Sequence, residues 1–227
     1  MLKKWEALPE VMHTPEVAEY YEILKHKPLG LFGKRLFDIL ASLMLLVILA
    51  PVMLIISIWI KCDSKGPVMF RQTRITTGGK EFRIFKFRTM VTDAEKLGTQ
   101  VTVGQDPRIT RSGRFLRKVR LDELPQLLNV LAGDMSVLGT RPEVPRYVEQ
   151  YTPEMWATLV LPAGITSEAS IEYKDEDKLL EAAEDVDKAY VEQVLPAKMK
   201  YNLEYIRKFR FWGDIRIMFR TVIAVLR

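Results

Sequence analysis

The chain of 227 residues is long enough for one sizeable domain with an additional membrane element. Its 34 lysine and arginine residues outnumber its 29 aspartates and glutamates, and the formal charge of +5 favours an anionic partner such as nucleic acid, anionic lipid or a phosphorylated metabolite. Cys62 is the only cysteine, which excludes a disulfide framework and a cysteine-based zinc site. The only histidines, His13 and His26, lie near the N-terminus, so catalysis in the rest of the chain falls to carboxylates, lysines or hydroxyls.

Residues 1–33 are interpreted as a short N-terminal arm, separate from the body of the protein. Thr14, followed by Pro15 and Glu16, is typical of a helix start, and the pattern predicts that this helix continues until Pro28 and Gly30 stop it. We assign the arm no chemistry.

Residues 34–61 contain the most apolar stretch of the chain and predict a membrane helix. From Leu36 to Ile60 the only formal charge is Asp38, and about 20 apolar residues suffice to span a bilayer as a helix. Pro51 lies at the centre of the stretch, where it removes a backbone hydrogen bond and favours a kink. Basic residues flank both ends, which favours placing both ends on the cytoplasmic side.

Two topologies are compatible with this segment. A kinked, re-entrant helix that enters one leaflet and returns satisfies both the proline and the basic flanks. An ordinary spanning helix is the alternative, because neighbouring helices commonly accommodate a proline. The residues alone leave the two topologies open.

A β-hairpin and a basic run follow the apolar segment. Alternating apolar and polar residues on both sides of Thr76–Gly79 predict a hairpin between residues 66 and 90, and residues 91–107 predict a short helix and a loop. Residues 108–120 carry six cations and no acid. Such a run is usually a solvated helix face, but anionic head groups or phosphates would also compensate it.

The C-terminal part of the chain has an acidic and an amphipathic segment. Residues 172–187 are strongly acidic and predict a helical lobe turned away from the membrane. Residues 196–227 predict one or two amphipathic helices, which either lie at a membrane interface or close the core.

The most informative stretch is RLDELPQLLNVLAGDMSVLGTRPE, residues 120–143. Leucines at helical spacing predict a helix that begins near Asp122, with Pro125 in its first turn. Acidic residues in that position commonly only complement the helix dipole. Here Asp122 and Glu123 directly follow the six-cation run, so cations and helix amides would hold a diphosphate and a carboxylate would hold a divalent metal. A carboxylate in such a site also serves as a nucleophile toward phosphorus.

Several motifs in one order resemble the bacterial sugar transferase family, the monotopic phosphoglycosyl transferases. The resemblance covers residues 34 to about 166 closely and the segment KYNLEYIRKFRFWGDIRIMFRT more loosely. The motifs that carry it are KRLFDIL, GPVMFRQTR, GGKEFRIFKFRTM, DPRITRSGRFLRK, LDELPQLLNVLAGDMSVLGTRP and AGIT. The resemblance implies transfer of a sugar 1-phosphate from a UDP-sugar to undecaprenyl phosphate at the cytoplasmic membrane face, with release of UMP.

The resemblance also implies roles for individual residues. Asp122 would be the nucleophile that forms a phosphosugar-enzyme intermediate, and Glu123 would bind Mg²⁺, the expected cofactor. The residues implied to hold the substrate are Lys86, Arg88, Arg117, Arg141 and Pro142. Pro51 matches the proline at the break of the family's re-entrant helix.

The sequence departs from the family pattern at three places. Ala50 precedes the helix proline where some members have serine. Thr140 replaces the first proline of the Gly-Pro-Arg-Pro motif that ends in Arg141 and Pro142. From Pro162 the chain reads PAGITSEASIEYKDE, where the family often has Pro-Gly-Ile-Thr-Gly and then an aromatic or glutamine-containing strand. The sequence therefore does not identify the sugar.

The implied fold is α+β and mainly helical, with a small β-hairpin and amphipathic interfacial helices. A proline-kinked re-entrant helix, residues 34–61, would anchor a cytoplasmic catalytic domain, residues 62–227, in the bacterial inner (cytoplasmic) membrane. The expected partners are a UDP-sugar, undecaprenyl phosphate and membrane lipids, with an oligomer left open. No nucleic acid partner is expected, because the chain has no recognised reading motif. The competing hypothesis is a non-catalytic, membrane-anchored basic scaffold that binds anionic lipid.

Overall fold

The computed structural model describes residues 1–94, 106–173, 176–181, 183 and 185–226. Most of these residues are helical, which confirms the expected α+β, mainly helical fold. In chain order the helices are α1 Pro15–Lys25, α2 Pro28–Asp63, α3 Arg111–Lys118, α4 Gln126–Ala132, α5 Pro145–Val148, α6 Glu168–Glu172, α7 Glu176–Glu181, α8 Val186–Ala189, α9 Leu195–Arg207 and α10 Phe211–Leu226. The strands within the described residues are β1 Met69–Thr76, β2 Lys80–Phe87, β3 Met135–Leu138 and β4 Ala163–Thr166.

Helix α2 is longer than the membrane helix predicted at residues 34–61. It begins at Pro28, which lies in the first turn where a missing N–H costs no hydrogen bond, so Pro28 starts a new helix directly after α1 ends. Pro51 lies inside the helix, which continues on both sides of it. By length and composition α2 is able to cross a membrane, and 11% of its most apolar window is buried within the structure. The re-entrant topology stays a prediction.

Both ends of α2 bind the body of the protein. Near the N-terminal end, Lys34 Nζ donates to Leu138 O at 2.7 Å. At the C-terminal end, the backbone N–H of Ser112 donates to Asp63 Oδ2 at 2.9 Å. The large apolar side chains left exposed between these ends include Leu40, Leu43, Met44, Val47, Ile48, Val52, Leu54 and Ile55. The middle of α2 is therefore an unpartnered apolar surface.

The N-terminal arm packs into the largest hydrophobic cluster of the described residues. Thr14 accepts a hydrogen bond from the N–H of Val17 at 3.3 Å, which confirms the predicted helix start. The buried arm residues of this cluster are Leu8, Met12, Val17, Tyr20, Tyr21, Leu24 and Leu31. The arm precedes the membrane segment and looks separate in the sequence, but its apolar face shares a core with α5 and α9.

Strands β1 and β2 form the predicted β-hairpin. They pair antiparallel, from Met69 opposite Phe87 to Thr76 opposite Lys80. The turn between them contains two glycines with positive φ, a backbone conformation that favours glycine. The short helix and loop predicted at residues 91–107 lie mostly outside the described residues.

A second small sheet was not predicted from the sequence. Strands β3 and β4 pair in parallel, starting with Met135 opposite Ala163. Immediately after β3, the backbone of Gly139 approaches Gly164 so closely that a Cβ on Gly164 would overlap it. This close pairing fixes the path of the chain just before Arg141.

The sequence left open whether the C-terminal helices close the core or lie at a membrane interface, and helices α9 and α10 differ in this respect. Helix α9 buries Met199 and Leu203 in the main hydrophobic cluster. Helix α10 leaves Trp212 and Phe219 77% and 68% exposed, so it keeps an apolar surface as an interfacial helix requires. The described residues of the acidic segment 172–187 include helix α7 and the start of helix α8, and the orientation of this segment to a membrane stays a prediction.

Candidate active site

Asp122 and Glu123, the carboxylate dyad, lie in a 3₁₀ turn that precedes helix α4. The helix predicted to begin near Asp122 begins at Gln126 instead, with Pro125 as its N-cap residue. The physical reason is the left-handed backbone of Arg120, whose φ of 56° directs the chain into the tight turn first. The dyad is therefore presented by a turn and not by the first turn of the helix.

Glu123 forms the centre of a buried ion cluster. Its carboxylate accepts from Lys86 Nζ at 3.0 Å and from Arg141 Nη1 at 3.2 Å, and Arg141 Nη2 donates as well. Burial alone would raise the pKa of Glu123, but the charges of Arg141 and Lys86 outweigh burial and hold this pKa well below its ordinary value. Glu123 in turn raises the pKa of Arg141. Glu123 therefore stays ionised at neutral pH.

Asp122 is buried beside these charges without a direct partner. The residue is 8% exposed, and within the described ranges no hydrogen bond or ion pair engages its carboxylate. Burial raises the pKa of Asp122, opposed by the charge of Lys86 and reinforced by the charge of Glu123. A carboxylate in a largely buried residue that is free of a partner is suited to attack an electrophilic phosphorus.

The structure brings three predicted substrate-binding cations to the dyad. Lys86 and Arg141 bind Glu123 directly. Arg117 is half-buried, and burial lowers the pKa of its guanidinium while the charge of Asp122 opposes that effect. These three side chains place positive charge on several sides of the two carboxylates.

Arg88 lies away from the dyad. Its guanidinium donates to Ser64 O at 2.8 Å and also to Lys65 O, so Arg88 fastens the chain that follows α2. The carbonyl of Pro142 accepts from Arg74 Nη1 at 3.0 Å. Sequence reasoning missed this contribution of Arg74, because its partner is distant in sequence and the alternation of β1 marks Arg74 only as a polar strand position.

A cavity of about 450 Å³ opens beside Glu123 and Arg141. Lys118 and Arg120 of the basic run extend its polar end. The apolar residues of its walls are Leu45, Leu49, Leu124, Leu127, Ile165, Ile171 and Ala224. Since α2 and α10 both contribute to these walls, the cavity joins the charged site to the apolar surface of the membrane helix. Its lining suits a ligand with an anionic head and an apolar tail.

The donor chemistry of the dyad fits a magnesium ion. Mg²⁺ in phosphoryl-transfer sites is held by one or two carboxylates together with substrate phosphates and water. Glu123 supplies such an oxygen, provided that it exchanges a cation partner for the metal. No group of three or more histidine, cysteine or acidic side chains surrounds a common point in the part of the chain that is described, so phosphates and water would complete the coordination.

The part of the chain that contains the site was compared with known protein families. The sequence profile described as "Bacterial sugar transferase" matches residues 29–227. The chain belongs to the bacterial sugar transferase family. Its dyad, cations and apolar helix all lie within the matched range.

Curated relatives of this sugar transferase family member come from several bacteria. It is 38% identical over 203 residues to the UDP-N-acetylgalactosamine-undecaprenyl-phosphate N-acetylgalactosaminephosphotransferase of Aeromonas hydrophila, covering 88% of this chain and 45% of the relative. It is 39% identical over 194 residues to the UDP-glucose:undecaprenyl-phosphate glucose-1-phosphate transferase of Escherichia coli (strain K12), covering 83% of this chain and 39% of the relative. The chain thus spans less than half the length of these two relatives.

Another relative is shorter, and the match covers nearly the full length of that relative. The exopolysaccharide production protein PSS of Rhizobium leguminosarum bv. phaseoli is 39% identical over 202 residues, which cover 85% of this chain and 94% of the relative.

Proposed function

We propose that this family member transfers a sugar 1-phosphate from a UDP-sugar to undecaprenyl phosphate and releases UMP, as the first step of glycoconjugate or exopolysaccharide assembly. The observation that carries the proposal is the unpaired carboxylate of the largely buried Asp122, adjacent to Glu123. Glu123 lies in the ion cluster and lines the polar end of an apolar-walled cavity. The names of two relatives include both a UDP-sugar and undecaprenyl phosphate, which supports these substrate classes.

In the first half-reaction, a carboxylate oxygen of Asp122 attacks the phosphorus that bears the sugar. The new O–P bond is an acyl phosphate, and the bond from this phosphorus to the bridging oxygen breaks, so that UMP leaves with the electron pair. Lys86 and Arg141 exchange the Glu123 carboxylate for phosphate oxygens, and Arg117 offsets charge on the attacked phosphate. Mg²⁺, held by Glu123, would supply further neutralisation of the diphosphate charge.

In the second half-reaction, an oxygen of the lipid phosphate attacks the same phosphorus. A new P–O bond forms, the bond to Asp122 breaks, and the free carboxylate is restored. The cavity supports this order of events, because its cations would bind the lipid phosphate while its apolar walls contact the first prenyl units. Binding of the lipid phosphate next to the phosphosugar orients the attack and replaces a bimolecular encounter in solution.

Release of UMP tests the proposal directly. Purified protein in lipid nanodiscs is incubated with a panel of UDP-sugars, with and without undecaprenyl phosphate, and UMP is measured. We expect sustained UMP release with at least one sugar only when the lipid phosphate is present. No release with any sugar, alongside binding to anionic vesicles, would favour the non-catalytic scaffold instead.

We infer that α2 is re-entrant and lies at the cytoplasmic face of the inner membrane. This topology agrees with the contacts of α2, because both of its ends bind the same folded domain. A helix of 36 residues is about 54 Å long if straight. If it crossed the hydrocarbon layer of about 30 Å completely, its two ends would lie on opposite sides of the membrane. Here Lys34 bonds to Leu138 and Asp63 bonds to Ser112, so one folded body receives both ends. The exposed apolar face of α10 would rest at the same interface.

Thiol labelling tests this topology. Two single-cysteine proteins are made in a Cys62→Ser background, one with Glu10→Cys before α2 and one with Asp134→Cys after it. We expect neither protein to react with a membrane-impermeant thiol reagent in intact cells and both to react after permeabilisation. Labelling of Glu10→Cys alone in intact cells would show a spanning helix and exclude the re-entrant one.

Lys86 is expected to contribute strongly to substrate binding, because its ammonium lies in the buried cluster. The Lys86→Met variant is expected to lower kcat/KM for UMP release about 100-fold, as is typical when one charge-stabilising donor is removed. Lys80→Met on the same strand is the matched control, since that side chain is 62% exposed and pairs only at the surface with Asp134. Equal activity of the two variants would contradict the assigned role of Lys86.

A further inference from the structure

A chain of buried polar side chains links the Arg141 segment to the acidic helix α7. Tyr190 OH donates to Glu143 Oε1 at 2.6 Å, and Lys198 Nζ donates to Tyr190 OH at 3.3 Å. Lys198 Nζ also donates to Glu176 Oε2 at 2.8 Å. Tyr190 and Lys198 are each 4% exposed and Glu143 is 7% exposed, so this buried polar chain is part of the interior.

The buried polar chain ends on the segment that carries Arg141. The carbonyl of Pro142 accepts from Arg74 Nη1 at 3.0 Å, and the carbonyl of Glu143 accepts from the N–H of Ile75 at 3.0 Å. Strand β1 therefore holds the backbone of this segment, while the buried polar chain holds the side chain of Glu143. The two residues that follow Arg141 are fixed from two directions.

Burying these charges is costly unless they are paired, and apolar side chains would hold α9 in place equally well. Lys198 is paired with Glu176 at 2.8 Å and lies 4.0 Å from Glu143. Burial, followed by the charge of Glu143, raises the pKa of Tyr190 well above its ordinary value, so this hydroxyl keeps its proton and remains a donor. Hydrogen-bonded chains of this kind select one arrangement of the parts they join.

We infer that Tyr190 and Lys198 are positioning residues for Arg141: through Glu143 they hold its guanidinium where the diphosphate of the UDP-sugar binds. The inference rests on the proposed function, because Arg141 binds substrate only in that mechanism. The buried polar chain does not reach Asp122, so its loss affects substrate binding more than chemistry. The inference also gives the acidic helix α7 a function, since Glu176 of this helix is the last residue of the buried polar chain.

The test compares Tyr190→Phe with Tyr147→Phe. The two rings pack against each other at a tilt of 37°, with centroids 4.8 Å apart. Each hydroxyl donates to a carboxylate, that of Tyr147 to Asp187 Oδ1 at 2.5 Å. Each substitution removes one such hydroxyl and keeps the ring packing. Only the hydroxyl of Tyr190 belongs to the buried polar chain, so Tyr147→Phe is a matched control.

We expect Tyr190→Phe to raise the KM for the UDP-sugar about fivefold, with kcat within about twofold of wild type, because the lost hydrogen bond acts on Arg141 only indirectly, through Glu143. UDP affinity, measured by calorimetry on the nanodisc-embedded protein, is expected to fall by the same factor. Tyr147→Phe is expected to leave both quantities unchanged. Lys198→Met, which breaks the chain at its other end, is expected to raise the KM as Tyr190→Phe does.

Wild-type KM and UDP affinity in both Tyr190→Phe and Lys198→Met would overturn the inference. So would an equal rise of KM in Tyr190→Phe and Tyr147→Phe, because general loosening of the packed ring pair would then explain it. Failure of the proposed function has a different signature, since the wild-type protein itself would neither bind UDP nor release UMP.

Discussion

The Asp122→Asn variant is expected to release UMP at least about 10⁴-fold more slowly than wild type, the scale seen when a nucleophile is removed. The amide that replaces the carboxylate has no charge to form the acyl phosphate, while the cations around it remain in place. Sustained UMP production in nanodiscs with undecaprenyl phosphate measures this loss. Asp134→Asn at the opposite end of α4 is the control and is expected to keep wild-type activity, because Asp134 pairs only with the exposed Lys80.

The stability of Asp122→Asn distinguishes lost chemistry from lost folding. Burial raises the pKa of Asp122, so the folded protein binds this proton more tightly than the unfolded chain does. The contribution of this carboxyl to stability therefore falls as pH rises from its ordinary pKa through its raised pKa. At neutral pH the neutral Asp122→Asn side chain avoids that cost, and its melting temperature is expected to equal or exceed that of wild type. A lower melting temperature together with lost activity would point to a structural role.

The Lys34→Met variant is expected to destabilise the protein by about 3–5 kcal/mol, because it leaves a buried carboxylate without its cation. Lys34 is 2% exposed and its ammonium lies 2.7 Å from Asp214 Oδ2 and 2.7 Å from Leu138 O. This one side chain joins α2, β3 and α10, so its loss weakens the attachment of the membrane helix to the body. For a chain of this size the melting temperature is expected to fall by about 10 °C.

A second substitution separates the charge effect from lost packing. In Lys34→Met/Asp214→Asn neither charge remains, and the hydroxyl of Tyr205, which donates to Asp214 Oδ1 at 3.1 Å, still finds an amide oxygen. This double variant is expected to recover part of the lost melting temperature, because the buried Asp38 also interacts with the charge of Lys34 and still lacks it. Lys208→Met removes a lysine from an exposed ion pair and is expected to melt as wild type does. A double variant as unstable as Lys34→Met would contradict the electrostatic explanation.

Local patterns predicted the elements that depend on nearby residues. Alternation around the glycine turn predicted the β1–β2 hairpin, and the Thr14-Pro15 pair predicted the start of α1. Helix α2 begins before the membrane segment predicted at residues 34–61, because Pro28 ends one helical pattern and is equally well placed in the first turn of the next helix. Sequence pattern alone does not decide between them.

Elements that depend on distant partners were not predictable in the same way. The parallel β3–β4 pair requires the close approach of Gly139 and Gly164, which are far apart in sequence. The dyad was found through its motif, but its 3₁₀ turn depends on the left-handed backbone of Arg120, a conformation that arginine rarely adopts. Arg88 shares its motif with Lys86, and strand alternation would place both on one face, but β2 ends at Phe87. Arg88 lies beyond the strand and binds carbonyls near α2 instead.

The most direct test of the central claim is mass spectrometry of the protein after incubation with a UDP-sugar in the absence of lipid acceptor. We predict a mass increase equal to one sugar phosphate on the peptide that contains Asp122, released when undecaprenyl phosphate is added. A preparation that turns over substrate yet carries no such adduct, or carries it on another residue, would contradict the proposed mechanism.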